Sequence, residues 1–223
     1  MFEMARAVLF DLDGTLIRQS IDFERMRVEV LGVVERFGLT SEPYRAMHVL
    51  ELIERVVAAL DAREVGAGPR FALAAQEVVT AIEVAAAEGA EPYPGVPEFL
   101  ARLCGAGFGV GIVTRNCRPA VERVLARWSL ARDVLLTRDD VDRVKPDPEH
   151  LLAALEHLGA PPGNAVMCGD HPMDIVAGRR AGTGTVGILS DGLPADHFAA
   201  VEPDLVLPSV VGLERYLPRR RPS

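Results

Sequence analysis

Two carboxylates, Asp11 and Asp13, stand one residue apart in the segment RAVLFDLDGT, directly after a short apolar run. Because like charges this close repel each other, the pair needs a compensating cation if both groups are to ionise. An aspartate can attack phosphorus as a covalent nucleophile, and a second carboxyl on the same side can act as general acid and then as general base. The pair therefore predicts phosphoryl-transfer chemistry, provided that other segments supply a cation and groups that hold phosphoryl oxygens.

Three later segments carry side chains that would complete such a site. Thr114 ends an apolar run in VTRN, Lys145 lies in VKPDP, and Asp170 and Asp174 lie in GDHPMDI. Thr114 and Lys145 are predicted to hold the oxygens of the transferring phosphoryl group, and Lys145 would also screen the carboxylates. Backbone N–H groups after Asp13, in the turn of Gly14 and Thr15, would add donors for an anion.

The acidic residues of these segments form a candidate metal site. Asp11, Asp13 and Asp170 could not all ionise side by side without a cation. Carboxylate oxygens with no His or Cys partner suit Mg²⁺, which takes one or two carboxylates and keeps several waters. Mg²⁺ is therefore the predicted cofactor. Asp174 would either touch it or serve as an acidic residue in the first turn of a helix.

Apolar runs precede most of these residues and predict buried strands. The runs occupy residues 5–10, 108–114, 133–137, 165–170, 185–190 and 204–209, with predicted helices near residues 96–104, 119–128, 148–158 and 174–181. Short apolar strands that alternate with helices are typical of an α/β fold, here a Rossmann-like parallel sheet with helices on both faces. Ligands bind beyond the carboxyl ends of such strands, so the fold would bring the candidate residues to one edge.

Residues 17–90 have a different pattern, with apolar side chains at spacings of three and four and no predicted strand. They predict three amphipathic helices. The first runs from the cap residue Asp22 to Gly38, the second begins at the cap residue Ser41, and the third runs from about Pro69 to Gly89. We therefore predict an α/β core domain of residues 1–16 and 91–223 and a small all-helical cap domain of residues 17–90, inserted after the first strand.

In this order the four segments resemble the motifs of the haloacid dehalogenase superfamily of phosphohydrolases. The helical insertion resembles the cap of the phosphoglycolate-phosphatase-like branch. The resemblance implies that Asp11 is the nucleophile and that Asp13 is the general acid and base. It also implies that Mg²⁺ is bound by Asp11, the backbone carbonyl of Asp13, and Asp170, with Asp174 supporting the ion directly or through water.

Several arginines near the predicted site are candidates for substrate binding. Arg18, shortly after the first motif, and Arg115, within the second, are placed to meet a phosphate or an anionic leaving group. Arg25, Arg45 and His48 in the helical block are further candidates. Each of these side chains could instead be a solvated helix or loop residue, and the first carboxylate pair could be turn chemistry.

The composition argues against several classes of protein. The 223 residues carry a net charge of -8, whereas general nucleic-acid binding requires Lys and Arg to neutralise phosphates. The cysteine count of 3 is odd and no C-x-x-C occurs, so neither a disulfide framework nor a zinc site is predicted. No apolar stretch is long enough to span a membrane, and the arginines at 219–221 are predicted to form a solvated end. We predict a cytoplasmic protein.

Together these features predict a Mg²⁺-dependent phosphatase that hydrolyses a small phosphorylated metabolite through an aspartyl-phosphate. The resemblance suggests phosphoglycolate-like compounds, sugar phosphates or nucleotides as substrates. Two alternatives stay open. One is a phosphotransferase of the β-phosphoglucomutase type, which passes the phosphoryl group to a sugar. The other is a non-catalytic regulator that binds a phosphorylated ligand. The sequence predicts no oligomeric state.

Overall fold

The computed structural model describes residues 1–18 and 21–219, so two arginines of the predicted terminal cluster, at 220 and 221, lie outside the described residues. The chain divides into two compact units. Met1–Gln19 together with Ala90–Ser223 form one, called the sheet unit, and Ser20–Gly89 form the other, called the helical unit. No helix in the described part of the chain has the length and apolar character needed to cross a membrane.

The sheet unit is built on parallel strands. In chain order the strands are β1 (Ala7–Phe10), β2 (Ile17–Arg18), β3 (Glu91–Pro92), β4 (Gly109–Val113), β5 (Val134–Leu136), β6 (Ala165–Gly169), β7 (Gly184–Ile188) and β8 (Leu205–Leu207). All except β2 and β3 lie in one sheet with the order β5-β4-β1-β6-β7-β8, and every neighbouring pair is parallel. The six predicted strands and the predicted α/β fold are confirmed.

Helices cover both faces of this sheet. In chain order the helices of the helical unit are α1 (Phe23–Arg36), α2 (Val49–Asp61) and α3 (Ala67–Ala87), and those of the sheet unit are α4 (Val96–Gly105), α5 (Arg118–Arg127), α6 (Glu149–Leu158) and α7 (Pro172–Ala181). Ala7 and Leu9 of β1 share a buried apolar cluster with α6 and α7. Phe10 points the other way and packs edge to face against Phe99 of α4, with 6.0 Å between ring centroids. Successive residues of one strand thus face two helical layers.

The strand order places a topological switch point between β1 and β6. From β1 the chain crosses to β4 and β5 on one side, and from β6 it crosses to β7 and β8 on the other. The loops after β1 and β6 therefore diverge and leave a crevice beyond the carboxyl ends of these two strands. Open parallel sheets bind their ligands at such a point.

The helical unit packs α1, α2 and α3 around an apolar cluster of its own. Phe71 of α3 is fully buried and meets Phe37 edge to face, with 5.5 Å between ring centroids. The Asp22 carboxylate accepts the Arg25 N–H at 2.8 Å, as predicted for the residue that caps α1. The three predicted amphipathic helices are present in the structure.

The predicted start of the second helix at Ser41 is wrong. Ser41 precedes a short 3-10 turn, Glu42–Tyr44, and α2 begins only at Val49. The Ser41 hydroxyl donates to the Glu35 carboxylate at 2.7 Å instead of accepting a helix N–H. Because the hydroxyl is committed to that carboxylate, the residue type alone did not locate the start of the helix.

The pairing of β2 with β3 was not predicted. Ile17 pairs with Pro92 and Arg18 pairs with Glu91 in an antiparallel ladder. The chain therefore leaves and re-enters the sheet unit through two adjacent strands. Strands of two residues are too short for an alternating pattern to reveal them in the sequence.

Candidate active site

The two acidic segments lie side by side at the carboxyl edge of the sheet. Asp11 follows β1, and its backbone N–H donates to the Cys168 carbonyl of β6 at 2.9 Å, which extends the strand pairing by one residue. Asp170 directly follows β6. Because β1 and β6 flank the switch point, the backbone delivers both carboxylates to the same crevice.

Asp11, Asp170 and Asp174 form a compact acidic cluster, in which one carboxylate oxygen of each residue lies within 4.8 Å of the others. The Lys145 ammonium joins two of them, at 2.5 Å from Asp11 Oδ1 and 2.7 Å from Asp174 Oδ1. Lys145 is only 1% exposed. A charge buried this deeply is tolerated only when it is paired, so the lysine and the carboxylates depend on each other.

Burial and mutual repulsion shift the protonation of this cluster. Burial raises the pKa of Asp11 well above its usual range despite the attraction of Lys145, and the neighbouring carboxylates raise it further. Burial, and then the charge of Asp174, raise the pKa of Asp170 to about 7. Burial alone would lower the pKa of Lys145, but Asp11 and Asp174 outweigh burial and raise that pKa.

Two glycines make room for the carboxylates. A Cβ at Gly14 would lie 2.2 Å from Asp170 Oδ2, and a Cβ at Gly169 would lie 2.2 Å from Asp174 Oδ2. Gly14 also has a φ of +82°, which favours glycine. The Gly14 N–H, predicted to bind an anion, donates instead to the Ile17 carbonyl at 2.8 Å and closes the turn. The contribution of Gly14 in this structure is space for a carboxylate.

The Asp13 carboxylate accepts hydrogen bonds from the segment that follows β4. It accepts the Thr114 hydroxyl at 3.3 Å and the Asn116 side-chain amide at 3.2 Å. Thr114 is buried at the end of β4, where its backbone N–H donates to the Leu136 carbonyl of β5. In this structure the Thr114 hydroxyl therefore contacts Asp13. The predicted contact of Thr114 with a phosphoryl group, and that of the Asp13 carbonyl with a metal, stay predictions.

The donor set fits a hard divalent cation. Asp11, Asp170 and Asp174 offer carboxylate oxygens, and among the described residues no His or Cys belongs to the cluster. Ligands of this kind suit Mg²⁺ rather than zinc. If all are ionised, three carboxylates against the one ammonium of Lys145 leave two negative charges, which a divalent ion would balance.

A family model described as haloacid dehalogenase-like hydrolase matches residues 5–182. The chain belongs to the haloacid dehalogenase-like hydrolase family. Pyrophosphatase PpaX of Bacillus mycoides is 34% identical to it over 222 residues, which cover 95% of this chain and 96% of that protein. N-acetylmuramic acid 6-phosphate phosphatase of Pseudomonas aeruginosa is 34% identical over 188 residues, which cover 82% of this chain and 81% of that protein.

The fold of this hydrolase is also similar to solved structures. The structure of a predicted phosphoglycolate phosphatase from Haemophilus somnus superposes with a TM-score of 0.64 at 18% identity, covering 96% of this chain and 98% of that chain. A likeness at this identity shows the fold alone. The predicted family is confirmed, and membership together with relatives named as phosphatases supports a phosphoric monoester hydrolase.

Three residues of this hydrolase make contacts with Asp13 or Asp170 that were not predicted from the sequence. The Thr15 hydroxyl donates to Asp170 Oδ1 at 3.0 Å, and a His197 ring nitrogen lies 2.9 Å from the Asp170 carbonyl. Asn116 is the third, through Asp13. Thr15 and Asn116 lie within two residues of predicted site residues, a proximity that could have revealed them. His197 lies 27 residues from Asp170 along the chain and carries no such signal.

Arg18 and Arg115, predicted to bind the substrate, have partners within the sheet unit. Arg18 Nη2 lies 2.8 Å from Asp191 Oδ1, and the Arg18 guanidinium lies over the Tyr93 ring, 5.1 Å from its centroid. Arg115 Nη1 contacts the Met173 sulfur on α7. The contact of either arginine with a substrate stays a prediction.

Proposed function

We propose that this hydrolase is a Mg²⁺-dependent phosphatase that removes phosphate from a small phosphorylated metabolite through an aspartyl-phosphate on Asp11. The observation that carries the proposal is the buried Lys145 ammonium, paired with Asp11 and Asp174 inside a cluster of three carboxylates at the sheet edge. Family membership and relatives named as phosphatases support the reaction class.

The proposed reaction has two steps. First, an Asp11 carboxylate oxygen bonds to phosphorus as the bond between phosphorus and the leaving oxygen breaks, and the Asp13 carboxyl gives its proton to that leaving oxygen. Then the ionised Asp13 takes a proton from water, whose oxygen attacks phosphorus and displaces Asp11. The products are an alcohol and inorganic phosphate, and both aspartates return to their starting forms.

Lys145 and Thr114 are the proposed ligands of the non-bridging phosphoryl oxygens. Asp11 and Asp174 take two of the three N–H donors of the ammonium, and we propose that the third donates to a phosphoryl oxygen. Mg²⁺, held by Asp11, Asp170, Asp174 and the Asp13 carbonyl, would supply positive charge that offsets the carboxylates and the phosphoryl oxygens.

For the leaving group we propose only a chemical class, that of small molecules. By their names, one relative acts on pyrophosphate and the other on a sugar 6-phosphate, and both are small phosphorylated molecules. Arg18 and Arg115 are proposed to meet an anionic leaving group. A cytoplasmic location is also part of the proposal, supported by three free cysteines, Cys104, Cys117 and Cys168, since thiols stay reduced there.

A phosphate-release assay with Mg²⁺ tests the proposal. The panel contains pyrophosphate, an amino-sugar 6-phosphate, phosphoglycolate, nucleoside monophosphates and 4-nitrophenyl phosphate. We expect turnover of at least one compound and a loss of roughly 1,000-fold or more in Asp11→Asn. Asp196→Asn, at an exposed position, is the matched control and should keep wild-type activity.

Turnover by Asp11→Asn at the wild-type rate would overturn the assignment of the nucleophile. Isomerisation of a sugar phosphate without net phosphate release would replace the phosphatase by a phosphotransferase. Binding of phosphorylated compounds without any turnover would indicate a regulator.

A further inference from the structure

Asn116 is a buried side chain whose polar groups all have partners. It lies on the loop after β4 and is 3% exposed. Its backbone N–H donates to Thr114 Oγ1 at 3.0 Å, and its side-chain oxygen accepts the Cys117 N–H at 2.8 Å. Its side-chain nitrogen lies 3.3 Å from Asp13 Oδ1 and 3.2 Å from Asp13 Oδ2. The Cys117 N–H can only donate, so the amide oxygen must face it and the NH₂ group must face Asp13.

We propose that Asn116 is a positioning residue that holds the Asp13 carboxyl in place for proton transfer to the leaving group. The inference rests on the proposed function, in which Asp13 is the general acid. General-acid catalysis requires the carboxyl to lie within hydrogen-bond reach of the atom that receives the proton. A side chain anchored at both ends of its amide fixes the direction of that carboxyl, because its own rotation would break the Cys117 bond.

The contacts of Asp11 and Asp13 fit the different roles proposed for them. Asp11 pairs with a cation, the ammonium of Lys145. The Asp13 carboxylate accepts from the neutral donors of Asn116 and Thr114, both on the segment that follows β4. A neutral N–H can donate to a carboxyl oxygen whether or not the other oxygen carries a proton. The Asn116 contact is therefore compatible with a group that gives a proton and later takes one, and it can persist through both steps.

Substrates with different leaving groups distinguish a positioning role from a purely structural one, because only a positioning role should make the loss of kcat/KM depend on the leaving group. Departure of an alkoxide needs a proton from Asp13, whereas 4-nitrophenolate leaves without one. We expect Asn116→Ala to lower kcat/KM for an alkyl phosphate of the panel by about 10-fold to 100-fold, because the acid is misplaced. For 4-nitrophenyl phosphate, kcat/KM of the same variant should fall less than about threefold, because phosphoryl transfer from this ester to Asp11 needs little acid catalysis.

Four further variants extend this test. Asn164→Ala changes the chain's other asparagine, on a turn away from Asp13, and should match the wild type on both substrates. Asn116→Asp keeps an acceptor for the Cys117 N–H but removes the donor to Asp13, so it should show the same selective loss as Asn116→Ala. In Asp13→Asn the acid is absent, so adding Asn116→Ala should cause little further loss on the alkyl phosphate.

An equal loss on both substrates, or independent losses in the double variant, would overturn the positioning role while leaving the phosphatase in place. Activity with 4-nitrophenyl phosphate shows that the Asn116 and Asn164 variants are folded, and circular dichroism shows the same for the variants that lack Asp13. A wild-type protein that turns over no phosphate ester would overturn the proposed function, and the role of Asn116 with it.

Discussion

The sheet unit and the helical unit differ in what they bury. The buried polar and charged side chains of the sheet unit include Asp11, Thr114, Asn116, Lys145, His150 and Asp174. In the described part of the helical unit the buried polar and charged side chains are Ser41 and Glu83, beside an apolar cluster from α1, α2 and α3. Burying charge costs free energy unless partners compensate it. In the sheet unit the buried charges of Asp11, Lys145 and Asp174 lie together at one edge of the sheet, where we propose that the reaction takes place.

Substitutions in the two units should therefore have different effects. A substitution in the acidic cluster should remove activity and leave a buried charge without its partner. A change in the apolar cluster of the helical unit should lower stability and leave the chemistry of a small substrate intact. Trp128, the chain's only tryptophan, donates to the Ala90 carbonyl and reports on the sheet unit by fluorescence.

The largest combined effect on stability and activity is expected from Lys145→Met. This change leaves Asp11 and Asp174 buried without their cation, which should lower the free energy of unfolding by about 3 to 5 kcal/mol in EDTA. Mg²⁺ should restore part of that loss. Phosphate release should fall by roughly 100-fold to 1,000-fold because a donor to the phosphoryl group is removed. Denaturant titration followed by Trp128 fluorescence and the phosphate assay measure both effects.

Lys145→Arg is the matched control for charge. Lys145 is the chain's only lysine among 24 Lys and Arg residues. Its single nitrogen lies within 2.7 Å of two carboxylates, a position that the planar guanidinium of arginine cannot reproduce. Arginine should therefore fail to restore activity although it keeps the charge. Wild-type turnover by Lys145→Arg would show that the site needs only a positive charge.

The next effect lies in the helical unit. Phe71→Ala removes a fully buried ring that packs against Phe37, and it should lower the free energy of unfolding by about 3 to 5 kcal/mol. Circular dichroism should detect the loss of helix at lower denaturant than Trp128 fluorescence detects unfolding of the sheet unit. Turnover of 4-nitrophenyl phosphate per folded molecule should stay at the wild-type level.

Leu73→Ala on the same helix is the control, because Leu73 is 63% exposed and its truncation should change stability little. If Phe71→Ala abolished turnover in a protein that is still folded, the helical unit would take part in the chemistry, and the contrast between the units would be wrong.

The sequence predicted the elements of the site better than the contacts within it. β1 and β6 were predictable because each is an apolar run ended by a carboxylate, and the switch point then brings Asp11 and Asp170 together. Lys145 and Asp174 were predicted to lie at the same edge of the sheet, and there they pair. These results depend on strand order, which hydrophobic pattern and chain connectivity largely determine.

Individual partners were not predictable in this way. Asn116 and Asp13 are 103 residues apart, and their contact depends on the path of one loop rather than on any periodic pattern. Ser41 has the residue type of a helix cap, yet its hydroxyl bonds to Glu35 because the chain brings that carboxylate closer. Composition and spacing carry no information about such choices, since several partners of similar chemistry compete for one polar group.

His150 gives the smallest effect and extends the comparison to pH. It is fully buried on α6, and burial, followed by the charge of Lys145, lowers its pKa to about 3, against weaker contributions from the backbone of Thr137 and Leu136 and from Asp140. An unfolded histidine takes up a proton near pH 6.5. Between about pH 6.5 and about pH 3 the unfolded state therefore binds a proton that the folded state does not, and the folded protein loses stability as the pH falls.

His150→Leu removes this linkage and keeps the site filled. Relative to the variant, the wild type should lose up to about 1.4 kcal/mol of stability per pH unit in that window, and the two should run parallel above it. His157→Leu, which changes an exposed ring on the same helix, should leave the wild-type slope in place. Denaturant titrations between pH 7 and pH 4 measure the three slopes. Parallel curves for His150→Leu and the wild type would mean that the folded protein protonates His150, and that the sheet unit admits charge there more easily than its burial indicates.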